Sequence, residues 1–155
     1  MKNFKFFLIF LFLMSCGYSP IYQTNQKLNF KLDLINFSGD KKIGREIVKN
    51  IEELRKNKSE NILDISFETL KTESIVTKDK RGNASSYKLS VKVNLDLVNK
   101  NTNKKFIKSF LKETTYNSMD NKFELKQYKT NLEKNIVSQI LQDINIFFDS
   151  IQDDL

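Results

Sequence analysis

Residues 86–98, SYKLSVKVNLDLV, alternate without a break: Tyr87, Leu89, Val91, Val93, Leu95 and Leu97 fall on one side, Lys88, Ser90, Lys92, Asn94 and Asp96 on the other. Period two with one greasy and one wet side predicts a strand of an antiparallel sheet that faces a core on one side only. Residues 28–37 show the same alternation, with Leu28, Phe30, Leu32 and Leu34 sharing a face. Residues 62–77 begin with Leu63, Ile65 and Phe67 opposite Asp64, Ser66 and Glu68, and 105–118 place Phe106, Phe110 and Tyr116 in phase. SGD at 38–40 and NKNTNK at 99–104 have turn chemistry. Two stretches switch to a period of three to four. In the first, 41–56, Ile43, Ile47, Ile51 and Leu54 form a stripe, and Ser38 or Asp40 stands where a helix cap belongs. In the second, 121–149, Leu125, Tyr128, Leu132, Ile136, Ile140, Ile144 and Phe148 repeat, widened by Val137, Leu141 and Phe147. That helix would run about 40 Å at about 1.5 Å per residue, enough to cross a sheet. The expected order is β-α-β-β-β-α: an α+β fold, a four-stranded, largely antiparallel sheet with both helices on one face.

The chain before residue 28 has a different pattern. Lys2 and Lys5 precede nine consecutive apolar residues, Phe6 to Met14. A membrane span needs about 20 such residues, so this run has the length of a signal-peptide core. Leu13, Met14, Ser15 and Cys16 follow it and resemble a bacterial lipobox, although Met14 stands where that pattern usually has a small or β-branched residue. The resemblance implies cleavage before Cys16 and acylation of its thiol and amine. Cys16 is the chain's only cysteine, so it has no intramolecular disulfide to make. The expected organisation is a lipoprotein leader at 1–15, a lipidated tether at 16–27 holding Pro20, one domain at 28–150 and a short tail at 151–155.

Composition narrows the chemistry. Among 155 residues there is no histidine. That removes imidazole bases, Ser-His and Cys-His pairs, and imidazole metal ligands, so neither an enzyme nor a metal or cofactor site is expected. Carboxylate pairs such as Glu52 with Glu53 and Asp153 with Asp154 have no companion group and read as solvated. The net charge is +7. A basic chain suits a polyanionic partner, here a lipid phosphate rather than nucleic acid, but a composition rich in Lys, Asn, Ile and Phe is also what AT-rich codons produce.

Several stretches taken in order resemble the lipopolysaccharide-assembly lipoprotein LptE family in its alphaproteobacterial form. CGYSPIY at 16–22 is similar to that family's opening after the cut, matching at Cys16, Gly17, Pro20 and Tyr22. GREIVKNIEEL at 44–54, the loop and strands of 79–106, and TTYN at 114–117 are similar to later family segments, so the likeness covers most of the chain after residue 15. It implies a lipid-anchored protein on the periplasmic face of the outer membrane. Such a protein plugs an LptD-like β-barrel and assists lipopolysaccharide delivery. Gly17, not an acidic residue, follows the cysteine, in keeping with outer-membrane sorting. The other reading is an outer-membrane lipoprotein that carries lipid in an apolar cavity. Candidate contacts for lipopolysaccharide phosphate are Lys78, Lys80 and Arg81 in the loop before Gly82, with Lys88 and Lys92 on the wet sheet face. Each also has a plain reading as a solvated turn or face. Phe147 and Phe148 read first as core, second as a contact to lipid or barrel wall.

Overall fold

A computed structural model describes residues 28–155; the leader, the tether and Cys16 lie outside them. The order is β1 (Lys31–Gly39), α1 (Lys41–Ile51), a 3-10 turn (Glu52–Lys56), β2 (Ile62–Lys78), β3 (Ala84–Asn99), β4 (Lys105–Asn117), α2 (Lys122–Ser150) and a final 3-10 turn (Gln152–Asp154). The four strands lie side by side in chain order, β1 parallel to β2 and the other neighbours antiparallel. This is the α+β arrangement that the periodicity predicted.

Local chemistry sets the ends of the helices. Asp40 caps α1, its Oδ1 accepting from the Lys42 and Ile43 N–H groups at 3.0 and 3.1 Å. Its carboxyl is held below the usual range by the Ile43 N–H first, and by Lys71 as well. Asn121 caps α2 in the same way, through the Phe123 and Glu124 N–H groups. Gly39, at φ +88°, lies so close to the β2 backbone that a Cβ there would overlap the Thr69 carbonyl. Only glycine lets β1 pass that strand and turn at once into the capped helix.

The core is a single layer between sheet and helices. Leu63, Ile65, Leu95, Leu97, Ile140 and Ile144 are among its fully buried members. Phe30 meets Phe148 edge to face with centroids 5.4 Å apart. Phe148 is therefore core, as read first, and half-buried Phe147 packs against Phe110. Ile151, the first residue of the expected tail, is buried in the same core, and Leu155 packs against it.

Leu34 does not share the face of Leu32 as the alternation predicted. The β1–β2 register shifts between Leu32 and Ile35. The extra residue turns Leu34 outward, half exposed, with its N–H donating to Asp64 Oδ1 at 3.1 Å. Ile35 and Phe37 take the positions paired with Ile65 and Phe67 instead.

Beyond Phe67 the helix-facing side of β2 turns polar. Thr69, Lys71 and Glu73 pair with Val93, Val91 and Leu89, so they lie under the helices and not on the open face. Glu133 of α2 accepts Lys42 at 2.6 Å and Lys71 at 2.9 Å, and Lys71 also reaches Asp40 at 3.3 Å. Lys129 meets Glu73 at 2.6 Å and Lys112 meets Asp143 at 2.8 Å. The Glu133 and Lys129 pairs hold the first half of the long helix across the sheet where apolar contacts thin out, and Lys112–Asp143 adds a pair beside the core.

Candidate functional site

β2 and β3 end in a hairpin whose β2 arm and turn, residues 70–83, are exposed, while Leu89 and Val91 of the facing β3 arm stay in the core. Its tip is built by Asp79. The Asp79 Oδ1 accepts the Arg81 and Asn83 N–H groups at 2.8 Å each, and the Asp79 N–H donates to the Asn83 carbonyl at 2.8 Å. The Asn83 N–H above all holds the Asp79 carboxyl below its ordinary range. Gly82 supplies the left-handed turn residue, φ +84°. The turn is thus fixed by backbone bonds, while Lys78, Lys80 and Arg81 project from it. None of the three has an ion-pair partner among the described residues.

The five candidate cations do not form one cluster. Lys88 lies on the open sheet face and meets Glu113 at 3.4 Å, and Ser90 donates to the same carboxylate at 2.7 Å. Ser90 first and Lys88 second hold Glu113 below the usual carboxylate range. Lys88 is therefore engaged in the sheet. Lys92 stands further along, between Leu70 and Leu111 in register. At about 3.3 Å per residue, Lys92 is about 30 Å from the tip. The structure brings together Lys78, Lys80 and Arg81 and separates Lys88 and Lys92 from them.

Apolar residues that the sequence reading passed over surround the same end. Ile75 and Val76 precede the tip and are half exposed. Met119 follows β4 at the same end of the sheet, where the neighbouring Ser118 N–H donates to the Ser85 carbonyl at 2.9 Å, and Phe123 begins an exposed groove along α2 with Lys126, Gln127 and Thr130. Phe123, 67% exposed, is out of phase with the Leu125–Tyr128–Leu132 stripe, and that misfit is its signal in the sequence. Cations beside exposed apolar side chains suit an amphipathic anion.

The chain enters the domain at the other end. The Asn29 N–H donates to Gln152 Oε1 at 3.0 Å, and Asn57 Nδ2 donates to the Leu28 carbonyl at 3.3 Å. β2 starts beside Lys31 and runs 17 residues to the tip, about 55 Å at about 3.3 Å per residue. The described residues hold no group of acidic or thiol side chains placed for a metal ion. No helix among them is long and apolar enough to cross a membrane.

No family model and no curated protein matches this chain. Solved structures do. The rare lipoprotein B of Shewanella oneidensis superposes with a TM-score of 0.63 at 12% identity, covering 80% of this chain and 97% of that one. This chain has the fold of a bacterial lipoprotein. A lipoprotein B of Nitrosomonas europaea matches at TM-score 0.50 and 17% identity, over 81% of this chain and 91% of that one. A protein of Caulobacter crescentus also matches at 0.50, with 10% identity over 76% of this chain and 89% of that one. At such identities the shared property is the β-α-β-β-β-α sheet-and-helix architecture.

Proposed function

We propose that this chain is an outer-membrane lipoprotein anchored through acylated Cys16. In this reading it plugs an LptD-like β-barrel and assists lipopolysaccharide delivery to the outer leaflet. The observation that carries the reading is the polarity of the described domain: its first residues, Leu28 and Asn29, lie at one pole, and Lys78, Lys80 and Arg81, without ion-pair partners among the described residues, sit on a fixed hairpin at the other. A protein held at the inner leaflet from one end and seated in a barrel would point that hairpin toward the far leaflet. The filled interior supports a plug over a lipid carrier. Phe30, Leu32, Leu95, Ile140, Ile144 and Phe148 are all fully buried between sheet and helices, the place where a carrier would keep its cavity. Acylation gives the anchor its strength, each buried methylene contributing about 0.8 kcal/mol.

Mild detergent extraction of the tagged full chain, with mass-spectrometric identification of what co-purifies, tests the assembly. An LptD-like barrel in near-equal amount is the expected result; extraction with bound lipid and no barrel would refute it. The hairpin is tested by reversing Lys78, Lys80 and Arg81 to Glu together. Charge-assisted contacts are worth about 1.5–3 kcal/mol each, so losing even two partly exposed ones should weaken lipopolysaccharide binding by about tenfold or more. Wild-type binding should weaken with salt, since exposed charges are screened over about 8 Å at physiological ionic strength. Unchanged binding by the triple variant would make the tip an ordinary solvated turn.

A further inference from the structure

The two edges of the sheet are unlike. β1 is nine residues long, its register slips at Leu32/Ile35, and α1 with the following 3-10 turn packs beside it. Short length, a bulge and a covering helix are the usual means of closing an edge. β4 is neither short nor bulged, and α2 packs on its helix face, through Phe110–Phe147 and Lys112–Asp143, without a backbone bond to its outer edge among the described residues. It runs 13 residues, keeps a continuous register with β3 from Lys105 to Asn117, and has no strand on its other side. Its outer backbone N–H and C=O groups are therefore open to pairing.

The side chains along that edge point to a particular occupant. On the open face, Ile107 and Leu111 are 73% and 55% exposed. On the helix face, Lys112 is held by Asp143 at 2.8 Å, whereas Lys108 has no ion-pair partner among the described residues. A groove beside it is lined by Lys108, Phe110, Leu111, Asp143, Ile146 and Phe147. Ile146 at its outer wall is 66% exposed. Lys105, at the start of the strand, is likewise unpaired among the described residues. We infer that the β4 edge takes up an extended segment of another polypeptide whose side chains alternate apolar and acidic. The apolar ones lie beside Ile107 and Leu111, the acidic ones beside Lys108, and the incoming backbone pairs with β4 as a fifth strand. A second copy of this chain would bring the same positive edge, which opposes self-pairing. The inference is independent of the barrel reading, since it concerns one edge and any partner that supplies such a strand.

The test uses the full acylated chain in detergent. The probe is an end-blocked peptide of about ten residues alternating valine and glutamate, beside a peptide of the same composition in scrambled order. Fluorescence anisotropy gives affinity, and hydrogen exchange locates the contact. The alternating peptide should bind at least about tenfold tighter than the scrambled one and slow exchange in β4. Ile107→Ser with Leu111→Ser should weaken binding by about tenfold with the circular dichroism spectrum unchanged, because both side chains are largely exposed and the change removes apolar contact without adding charge. Should that pair disturb folding, Lys108→Glu serves instead, lowering affinity for the valine–glutamate peptide and raising it for a valine–lysine one. Equal binding of the two peptides, protection elsewhere than β4, or β4 protection that rises with protein concentration before peptide is added would each overturn the inference.

Discussion

Gly44→Ala should destabilise this protein, against the ordinary expectation for a glycine inside a helix. Ala in place of Gly normally stabilises a helix interior by about 0.5–1 kcal/mol. Here a Cβ would fall within the Phe37 ring, overlapping Cδ2 and Cε2 and standing 3.1 Å from Cγ. Phe37 is stacked on Phe67 with centroids 5.7 Å apart and is 37% exposed. Its ring can swing out, at the loss of the buried part of its surface. Full burial of such a side chain is worth about 1.5–3 kcal/mol and an aromatic pair about 0.5–1.5 beyond that. With some two-thirds of the burial at stake, displacement costs about 2–3 kcal/mol, and the helix gain offsets less than half. The net effect should be about 1–2 kcal/mol destabilising. In urea denaturation of the full chain followed by far-ultraviolet circular dichroism, the midpoint should fall by about 1 M. The decisive comparison is the Phe37→Ala background, where the obstacle is gone and Gly44→Ala should become stabilising by about 0.5–1 kcal/mol. A Gly44→Ala change that stabilises the wild-type protein would refute the packing of β1 against α1 described above.

Val93→Asp puts a charge without a partner into the fully buried centre of β3 and should prevent folding, whereas Lys92→Asp on the open face should cost little; equal effects in a solubility and circular-dichroism comparison would show the faces reversed. Asp40 contributes stability above its unfolded pKa of about 3.9, and because its folded pKa is lowered that contribution is lost as pH falls below this through the depressed value. Asp40→Asn should keep the cap and flatten this part of the acid limb, while Asp40→Ala should cost about 1 kcal/mol at neutral pH, both read from denaturation midpoints across pH. Cys16→Ser should leave the leader uncut by the lipoprotein pathway and the chain unacylated; intact-mass analysis showing a mature start elsewhere than Cys16, or a free Cys16 thiol in the wild type, would count against lipidation.

What the sequence discloses depends on how many neighbours agree with the local pattern. β3 was legible from end to end because it is central: both flanking strands and the long helix α2 require the same alternation, and no residue breaks it. β1 was legible only to Leu32. At the edge one extra residue costs a single ladder position, and nothing in the spacing of Leu32, Leu34 and Phe37 marks where the slip occurs. At the candidate site, the turn was visible in Asp79 and Gly82, but the separation of Lys92 from the tip follows from the length of the hairpin. The partner of Lys88, Glu113, is 25 positions away and invisible to any local window.

Lys71 and Glu73 expose the deeper limit. Read locally, a lysine and a glutamate on a strand after Phe67 signal a wet face. In the folded chain they continue the helix-facing row of Leu63, Ile65 and Phe67, opposite Val91 and Leu89. They are tolerated there because α2 brings Glu133 and Lys129 over them from 62 and 56 residues away. The sense of charge at these positions is therefore set by which charges a crossing helix carries. Glu133 shows the balance of forces: partial burial works to raise its pKa, yet Lys42 and Lys71 together hold it lowered. Polar residues under a long helix can thus serve as a seam that orients the helix, while the same residue types at the hairpin tip, with no helix above them, remain free for a partner.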